Sequence, residues 1–398
     1  MKSGWKTKTL EEACQFSNGL WKGEKPPFVN VGVIRNTNFT REGALDDSDI
    51  AYLDIEAKKF EKRRLQFGDI ILEKSGGGPK QPVGRVALFD KAEGDFSFSN
   101  FTAALRVRDP HDLDFRFLHK LLYWTYVSGV TEGMQSHSTG IRNLDGDAYK
   151  AIKIKFPPLP EQQRIVGVLD EAFAGLATAQ ANAEKNLQNA RALFESHLQS
   201  VFTQRDKGWA ETTLGKVCEF VGGSQPPKAV FSKSKNADNI RLIQIRDYKS
   251  DGHVVYIPRA QARRFCNADD VMIGRYGPPL FQIMRGLEGA YNVALMKAVP
   301  DESKLSRDFL FYFLKHSTIL QYVIYHSERA AGQIGLTKET LEPYPIALPS
   351  LPVQQTVVET ITELETETQR LASLYERKLA ALDALKKSLL HQAFTGQL

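Results

Sequence analysis

The sequence lacks the features that mark membrane, secreted and disulfide-stabilised proteins. Its 398 residues include only three cysteines, Cys14, Cys218 and Cys266, with no CxxC pair, so neither a disulfide framework nor a structural zinc site is expected. Small core side chains explain these thiols better than redox chemistry does. No apolar run reaches the roughly 18 residues that a membrane helix needs. The segment after Met1 also lacks the apolar stretch that a secretory signal peptide contains. We therefore expect a folded protein of the reducing cytoplasm.

Familiar catalytic signatures are missing as well. The sequence has no GxxxxGK[ST] phosphate loop, and its eight histidines form no HExxH. Residues 25–28 (KPPF) are similar to the [N/D]PP[Y/F] motif of adenine methyltransferases, but Lys25 offers only donors where that chemistry needs an acceptor. Asp301 and Glu302 are adjacent, whereas a PD…ExK nuclease separates these acids by a strand. The sequence thus predicts no catalytic residues, no metal site and no cofactor bound by this chain.

The chain contains an internal repeat with a period near half its length. Gly4 and Trp5 recur as Gly208 and Trp209 at an offset of 204 residues. Residues 157–203 match residues 349–395 without a gap, at an offset of 192. The regions between these matches have gained and lost residues, whereas the two matched segments have kept their length. A segment that does not change length is typical of a rigid element.

Each gap-free segment is predicted to be a long helix. The segments open with PPLPEQQ and PSLPVQQ, and proline followed by glutamate or glutamine favours a helix start. Apolar residues then follow the spacing of a coiled-coil seam, and at 1.5 Å per residue each helix would span roughly 65 Å. The first seam is rich in alanine and the second in leucine, which favours packing of the two helices side by side. Two copies in one chain, each followed by a return or a terminus, favour an antiparallel pair; two independent helices on separate cores are the alternative. The predicted seam comprises Ile165, Leu169, Leu176, Leu193, Val357, Ile361, Leu364, Leu371, Leu382 and Leu389.

Basic charge is concentrated outside these two helices. The whole chain has 52 basic and 47 acidic residues, a net charge of +5. Residues 157–203 have a net charge of −2 and residues 349–395 of −1, so the remaining regions carry +8. Residues 228–264 alone contain nine basic and three acidic residues, and residues 58–64 contain five basic ones. Clustered basic residues attract polyanions, although any single run can equally be a solvated surface.

The two variable regions are predicted to be lobes of mixed strands and helices. Residues 67–74 and 269–276 are predicted to be short apolar strands, and residues 84–89 the next strand. Residues 115–122 and 309–314 are predicted to be equivalent amphipathic helices, each preceded by an aspartate at the cap position. The same order of elements is therefore expected in both regions.

Two polar loops in each region are the candidate binding segments. Glycine- and proline-rich loops follow the first predicted strands, at 75–82 and 277–282, and a second polar loop precedes each long helix, at 135–143 and 329–335. The backbone of such loops can approach a ligand closely. Their Gln, Ser, Asn, His and Arg side chains are types that contact base edges and phosphates.

The doubled pattern resembles the specificity subunit of type I restriction–modification systems. The resemblance covers the whole chain and rests on the helix starts PPLPEQQRIV and PSLPVQQTVV and on the Ala-Phe-Thr-Gly sequence at 393–396. Ile34 with Arg35, Ile245 with Arg246, and the sequences GDIIL and GIRNL of the first half also look like elements of target recognition domains. The second half departs from the family at Asp269, where glycine is usual.

The resemblance implies an α+β fold with a pseudo-twofold internal repeat. Two globular target recognition domains would be joined by two long antiparallel coiled-coil helices. The implied domains are 1–156 (target recognition domain 1), 157–203 (central long helix, a spacer or ruler), 204–348 (target recognition domain 2) and 349–398 (C-terminal long helix).

The resemblance also implies a non-catalytic DNA-recognition subunit. Each recognition domain would read one half of a bipartite, asymmetric site on double-stranded DNA. The helices would set the gap between half-sites and dock two modification (methyltransferase) subunits. Those subunits would bind S-adenosylmethionine and methylate adenine, and two restriction subunits, optional members, would supply ATP-driven translocation and cleavage. The expected localisation is cytoplasmic.

Candidate DNA contacts are the polar and basic side chains in and beside the two loops of each domain. The apolar seam residues are the candidates for helix pairing and partner binding. An interaction scaffold without sequence-specific DNA binding is the alternative function, whereas a stand-alone nuclease or methyltransferase is opposed by the missing motifs. The candidate contacts are Lys80, Gln81, Arg85, His137, Arg142, Arg275, Tyr276, Gln282, Arg329 and Gln333.

Overall fold

The protein, seen in a computed structural model, consists of two compact units. They are Met1–Ala183 with Arg377–Leu398, and Glu184–Glu376. Each unit contains one globular lobe and one part of each of two long helices. We call residues 4–156 lobe 1 and residues 208–348 lobe 2. The structure describes residues 4–19, 23, 25–78, 81–138, 141–203, 208–328 and 335–398.

Lobe 1 combines short strands with four short helices. The strands are β1 (Lys6–Thr9), β2 (Cys14–Asn18), β3 (Phe28–Ile34), β4 (Ala51–Glu56), β5 (Ile70–Glu73), β6 (Ser75–Gly77), β7 (Val86–Leu88), β8 (Phe96–Phe98), β9 (Thr102–Val107), β10 (Gln135–Ser138), β11 (Ile141–Leu144) and β12 (Lys153–Phe156). The helices are α1 (Leu10–Ala13), α2 (Ala57–Glu61), α3 (Phe115–Val127) and α4 (Gly146–Lys150). The first long helix, α5 (Leu159–Thr203), follows.

The strands of lobe 1 form four small sheets. A four-stranded antiparallel sheet has the order β2-β9-β5-β7, and its strand β5 is buried throughout. A three-stranded sheet has the order β4-β3-β8, with β3 and β8 parallel. β1 pairs with β12, and β10, β11 and β6 form the fourth sheet. Helix α3 packs into the same apolar core as the four-stranded sheet, because its Phe117, Leu118 and Leu121 face inward.

Lobe 2 repeats this plan. Its strands are β13 (Ala210–Thr213), β14 (Cys218–Gly222), β15 (Asn239–Ile243), β16 (Tyr256–Pro258), β17 (Phe265–Cys266), β18 (Val271–Gly274), β19 (Ile283–Met284), β20 (Gly289–Tyr291), β21 (Leu295–Pro300) and β22 (Pro345–Leu348). Its helices are α6 (Leu214–Val217), α7 (Arg307–Lys315), α8 (Ser317–Glu328) and α9 (Lys338–Leu341), and the second long helix is α10 (Leu351–Thr395). Two sheets of lobe 1 recur as β13-β22 and β14-β21-β18-β19. The sheet β4-β3-β8 recurs as β16-β15-β20, with β17 added next to β20.

The sheet orders confirm the predicted α+β class and the internal repeat. The predicted strands lie at β5, β18 and β7, and the predicted helices at α3 and α7. Asp114 caps α3 as predicted, since its carboxylate accepts hydrogen bonds from the backbone of the first turn. The equivalent prediction for Asp308 is wrong, because Ser306 caps α7 and Asp308 lies inside the first turn. Serine hydroxyls also make good N-caps, so the helix begins two residues earlier than the aspartate indicated.

The long helices pair antiparallel in each unit. In the first unit, Lys386 of α10 lies over the ring of Phe173 of α5, while α5 residues near Ile165 share a core with α10 residues near Phe394. In the second unit, Arg191 of α5 forms an ion pair with Glu376 of α10 at 2.9 Å, while Leu198 and Phe202 of α5 share a core with Ile361 of α10. The residue numbers rise along one helix as they fall along the other, which confirms the predicted direction of pairing.

Nine of the ten predicted seam residues are buried or partly buried. Ile165, Leu169 and Ile361 are buried, and Leu176, Val357, Leu364, Leu371, Leu382 and Leu389 are partly buried. The prediction for Leu193 is wrong, since this side chain is 52% exposed and its neighbour Phe194 turns inward. The seam advances from Ala190 by four residues rather than three at this point. Spacings of three and four both occur in a helix of 3.6 residues per turn, so the sequence pattern left the choice open.

The three cysteines lie in the apolar cores of the two lobes. Cys14, Cys218 and Cys266 are free and buried, and burial raises the pKa of the Cys14 thiol to about 12. The prediction that they are small core residues is confirmed. Within the described ranges, no helix combines the length and apolar character needed to span a membrane.

The end of each long helix inserts a phenylalanine into a lobe. The ring of Phe394 in α10 packs edge-on against Phe117 of lobe 1, with centroids 5.4 Å apart. The ring of Phe202 in α5 packs in the same way against Phe309 of lobe 2 at 5.3 Å. Both pairs are related by the offset of 192. The phenylalanine of the shared Phe-Thr sequence therefore anchors each helix end by apolar packing.

The start of α5 is fixed by a buried glutamine from the PPLPEQQ motif. Gln162 is fully buried. Its Oε1 accepts from the backbone N–H of Asp114 at 2.8 Å, and its Nε2 donates to the carbonyls of Asp112 (2.9 Å) and Pro157 (2.8 Å). One side chain thus satisfies backbone groups from the start of α3 and from the entry to α5.

The second motif makes the same three hydrogen bonds. Gln354 is fully buried. It accepts from the N–H of Ser306 at 2.9 Å and donates to the carbonyls of Lys304 (2.7 Å) and Pro349 (3.0 Å). We call these two side chains the glutamine clamps. Each clamp sets the position at which a long helix leaves its lobe.

Replacing a clamp should destabilise its unit. We expect Gln162→Leu to lower the free energy of unfolding by about 1–3 kcal/mol, because it leaves buried backbone groups without partners. The adjacent Gln163 is exposed, so Gln163→Leu is the matched control and should change stability little. Chemical denaturation followed by circular dichroism measures both. Equal effects of the two substitutions would contradict the clamp's structural role.

Candidate nucleic-acid interface

The two candidate loops of lobe 1 meet in one sheet. The glycine-rich loop forms β6, and the second polar loop forms the β10–β11 hairpin. Strand β11 pairs with β6, which places Arg142 opposite Gly77 and Asn143 opposite Ser75. The Ser75 hydroxyl donates to the Asn143 side-chain oxygen at 2.5 Å. Segments far apart in the sequence are thereby joined by backbone hydrogen bonds.

A third segment, the turn at residues 35–38 after β3, completes this site. The turn is held by the backbone N–H of Arg35, which donates to the side-chain oxygen of Asn38 at 2.9 Å. Asn36 reaches across to β5, where its Nδ2 donates to Glu73 at 3.1 Å. The three segments surround an open cleft of about 360 Å³, lined by Asn36, Thr37, Glu73, Gly76, Gly77, Gly78, Gln81 and Arg85.

Arg85 faces the protein rather than open solvent. Its guanidinium donates to both carboxylate oxygens of Glu73, at 2.8 and 2.9 Å, and to the carbonyl of Asn36 at 3.0 Å. The exposed side chain of Gln81 lies against the same guanidinium, with its amide oxygen 2.8–3.0 Å from the three guanidinium nitrogens. This orientation of the amide is assigned from its neighbours, because the opposite one would set donors against donors. Direct base contact by Arg85 stays a prediction.

The hairpin carries two further candidates. Arg142 Nη1 donates to Gln135 Oε1 at 3.5 Å, and Gln135 Nε2 donates to the carbonyl of Thr131 at 3.2 Å. His137 lies opposite Arg142 on the backbone of the hairpin, but its side chain is outside the described part of the structure. Lys80 also lies outside the described residues.

In lobe 2 the residues just before the first candidate loop contact the described end of the second. The guanidinium of Arg275 donates to the carbonyls of Leu336 at 2.9 Å and Val293 at 3.3 Å. The ring of Tyr276 lies against Gly335, where a β-carbon would be only 2.4 Å from the ring. Glycine at 335 therefore permits the contact. Arg329 and Gln333 fall outside the described residues, so their predicted contacts remain predictions.

The cleft of lobe 2 is larger and more basic than that of lobe 1. It has a volume of about 1160 Å³ and includes Tyr276 and Gln282 from the predicted set. The side chains of Lys228, Arg246 and Lys249 are exposed at its edge, and no acidic residue lines it within the described part of lobe 2. The lining also includes Gln225, Pro226, Pro227, Phe231, Gln244, Ile245, Gly277, Pro278, Asn292 and Ala294. A cleft of this composition can hold an anionic polymer and offer amides to its bases.

Sequence reasoning missed the turn after β3 and its counterpart after β15. The backbone N–H of Gln244 donates to the Asp247 carboxylate at 3.1 Å, as that of Arg35 does to Asn38. Arg35 is therefore equivalent to Gln244, and Ile34 to Ile243 rather than to Ile245. The two Ile-Arg pairs, at residues 34–35 and 245–246, identify the right segments. Aligning them with each other, however, shifts the comparison of the lobes by two residues. The run of Asn, Gln, Arg and Lys after a buried strand was the available signal.

Part of the basic run at residues 58–64 makes contacts within lobe 1. Arg63 donates to the carbonyl of Asn18 at 3.0 Å, and Arg64 pairs with Asp95. Lys74, just before the glycine-rich loop, donates to the side chain of Asn18 at 2.9 Å, and burial lowers its pKa. These contacts connect the basic run to the edge of the lobe 1 site. Lys58 and Lys62 are exposed beside it.

No metal centre is evident in the part of the chain that the structure describes. No group of three or more histidine, cysteine, aspartate or glutamate side chains is arranged to hold an ion there. His119 is partly buried in lobe 1, and desolvation lowers the pKa of its imidazole to about 4. It touches Gly43 rather than the cleft.

Comparison with known proteins gives consistent matches along the chain. The family model described as "Type I restriction modification DNA specificity domain" matches twice, at residues 2–187 and 206–376. The chain is 25% identical over 416 residues to the EcoKI specificity subunit of Escherichia coli, covering 95% of this chain and 83% of that protein. It is 21% identical over 429 residues to the StySPI specificity subunit of Salmonella potsdam, covering 99% and 89%.

Solved structures share the fold over the full length. A chain from a study of complex assembly and conformational transition of the type I R-M system superposes with a TM-score of 0.79 at 21% identity, covering 100% of this chain and 99% of the other. The HsdS subunit from Thermoanaerobacter tengcongensis gives 0.61 at 21% identity, covering 100% and 98%. Because the family model matches both halves and spans most of the sequence, this chain belongs to the family of type I restriction–modification DNA specificity proteins.

Proposed function

We propose that the chain is the DNA sequence-recognition subunit of a type I restriction–modification complex and has no catalytic role of its own. The observation that carries this proposal is the duplicated site. In each lobe the turn after the first central strand, the loop after the second, and the segment that leads to the long helix come together. Amide and basic side chains of the kind that contact bases and phosphates line both clefts.

Each lobe would read one half of a bipartite site. The scaffolds are equivalent, but the cleft residues are not: lobe 1 presents Asn36 and Gln81 beside an internal ion pair, whereas lobe 2 presents Arg246 and Lys249. Different side chains on the same scaffold select different base sequences. An asymmetric site is therefore expected, with lobe 2 contributing more of the phosphate binding.

The long helices would set the gap between the half-sites and dock the partner subunits. Both helices have 45 residues and match without a gap. Leu193 and Leu385, equivalent in the repeat, are both exposed on these helices and are suited to contacts with two copies of the same partner. Two modification subunits that bind S-adenosylmethionine would occupy these positions, and restriction subunits would be optional.

A binding assay with the modification subunits and S-adenosylmethionine present tests the central proposal. Selection from a randomised DNA library should enrich a split motif. Enrichment of no sequence would contradict the proposal, and binding that is insensitive to salt would instead favour a protein-interaction scaffold, because phosphate contacts weaken steeply as salt rises.

Removing a cleft cation from lobe 2 should reduce the salt dependence of binding. For Arg246→Ala we expect the slope of log affinity against log salt to fall by about one, since one phosphate contact is lost. Lys216 is also exposed but lies outside this cleft, so Lys216→Ala serves as the control of equal charge. Titrations at several salt concentrations measure the slopes. Identical slopes for wild type and Arg246→Ala would exclude this phosphate contact.

Lengthening both helices should widen the gap. Insertion of one heptad after Ala183 and another after Glu376, where the two units divide, adds about 10 Å of helix, close to three base pairs. Methylome sequencing should then show the same two half-sites with a longer gap. Replacing seven residues at each position without changing the length is the control. An unchanged gap in the insertion variant would contradict the proposal that helix length sets the distance between the half-sites.

A further inference from the structure

Lobe 1 contains a buried ion pair at the edge of its cleft. Glu73 is 1% exposed and Arg85 is 16% exposed at the side chain. Both carboxylate oxygens are engaged by the guanidinium, at 2.8 and 2.9 Å. Removing two charges from water is costly, and such pairs often contribute little net stability. The pair therefore requires an explanation other than stability.

The fold itself does not require this pair. In lobe 1 the N–H of Glu73 donates to the carbonyl of Arg85 at 2.8 Å, and the N–H of Gly84 donates back to Glu73 at 2.9 Å. In lobe 2 the N–H of Gly274 donates to Gln282 at 2.8 Å, and that of Phe281 donates back to Gly274 at 3.1 Å. Gly274 and Gln282 thus occupy the positions of Glu73 and Arg85, so the same backbone forms without either charge.

The residue that contacts the ion pair, Asn36, is also replaced by a different residue in lobe 2. Asn36 donates through Nδ2 to Glu73 at 3.1 Å. Its equivalent in lobe 2 is Ile245, which packs within 3.3 Å of the β-carbon position of Gly274. Lobe 2 therefore replaces asparagine, glutamate and arginine by isoleucine, glycine and glutamine. The three polar residues of lobe 1 occur together and belong to its particular site.

We propose that the Glu73–Arg85 pair is a positioning element that fixes the hydrogen-bonding direction of Asn36 and Gln81. Glu73 takes a donor hydrogen of Asn36, which leaves Asn36 Oδ1 to accept from a ligand. Arg85 holds Gln81 Oε1, which leaves Nε2 of this exposed side chain to donate. Without the two charges, either amide could rotate and exchange its donor for its acceptor.

An acceptor beside a donor matches one base in the major groove. Adenine presents an N6 donor and an N7 acceptor, whereas guanine presents two acceptors, cytosine a donor, and thymine an acceptor with a methyl group. The arrangement in lobe 1 therefore selects adenine at one position of its half-site. This inference rests on the proposed function and adds which residues determine specificity there.

The experiment is selection from a randomised duplex library by the assembled complex with its modification subunits. The lobe 2 half-site is identified as the half whose base preference changes with Gln282→Ala, because Gln282 presents an amide in the lobe 2 cleft; the other half belongs to lobe 1. Glu73→Gln should reduce discrimination at one adenine of that half by roughly tenfold to a hundredfold, the range expected for a bidentate base contact. Asn36→Ile should affect the same position. Glu93→Gln, at an exposed carboxylate of lobe 1 outside the cleft, should leave the motif unchanged.

A second variant separates positioning from folding. The double substitution Glu73→Gly with Arg85→Gln installs the residues that lobe 2 carries, so the backbone should fold and thermal unfolding should stay near that of wild type. The lobe 2 half-site should be read normally while the lobe 1 adenine is not. Retained discrimination in this folded variant or in Glu73→Gln would overturn the inference, as would a lobe 1 half-site without adenine. Absence of any motif with wild type would instead refute the proposed function.

Discussion

A buried glutamine at the start of each long helix determines how the rest of the protein is held together. Gln162 and Gln354 each connect a helix entry to the first turn of a lobe helix through three backbone hydrogen bonds. Because these side chains are fully buried, an unmade bond would cost the desolvation of a backbone group. The phenylalanine at the far end of each helix, in a cluster of aromatic rings, completes the attachment. Rigid junctions of this kind make the helix length meaningful for function.

The two lobes show how one scaffold can hold different reading surfaces. Two of their sheets have the same strand order, a third differs by one added strand, and their turns are closed by the same local hydrogen bonds. The side chains that differ stand at the cleft: Glu73 and Arg85 in lobe 1 are replaced by Gly274 and Gln282 in lobe 2. Because backbone hydrogen bonds hold these strand ends, the side chains there can vary without loss of the fold. Backbone atoms therefore stabilise the strand ends, while the side chains of the same residues are free to differ for recognition.

The sequence predicted the loops of the site better than the contacts within them. The glycine-rich loop and the second polar loop do meet in lobe 1. Arg85, however, turns towards Glu73, because the fold brings the two side chains within hydrogen-bonding distance although they are 12 residues apart in the sequence. The turn at Asn36 was not recognised, since its role arises from its distance to β5. Leu193 was placed in the helix seam because spacings of three and four are equally regular in sequence. The cap of α7 was missed for a similar reason, as Ser306 and Asp308 are both good capping residues.

The sequence by itself determined the repeat, the two long helices, their charge contrast with the lobes, and the family. These properties follow from the order of residues along the chain and the spacing of its apolar residues, and neither depends on tertiary contacts. Only the tertiary structure decided which side chains meet: that Gln162 reaches Asp114, that Asn36 reaches Glu73, and that the lobe 2 cleft gathers Arg246, Lys249 and Tyr276. The physical reason is that a hydrogen bond or an ion pair depends on distance and direction over a few ångströms. Strand pairing and helix packing set those distances between residues that are far apart along the chain.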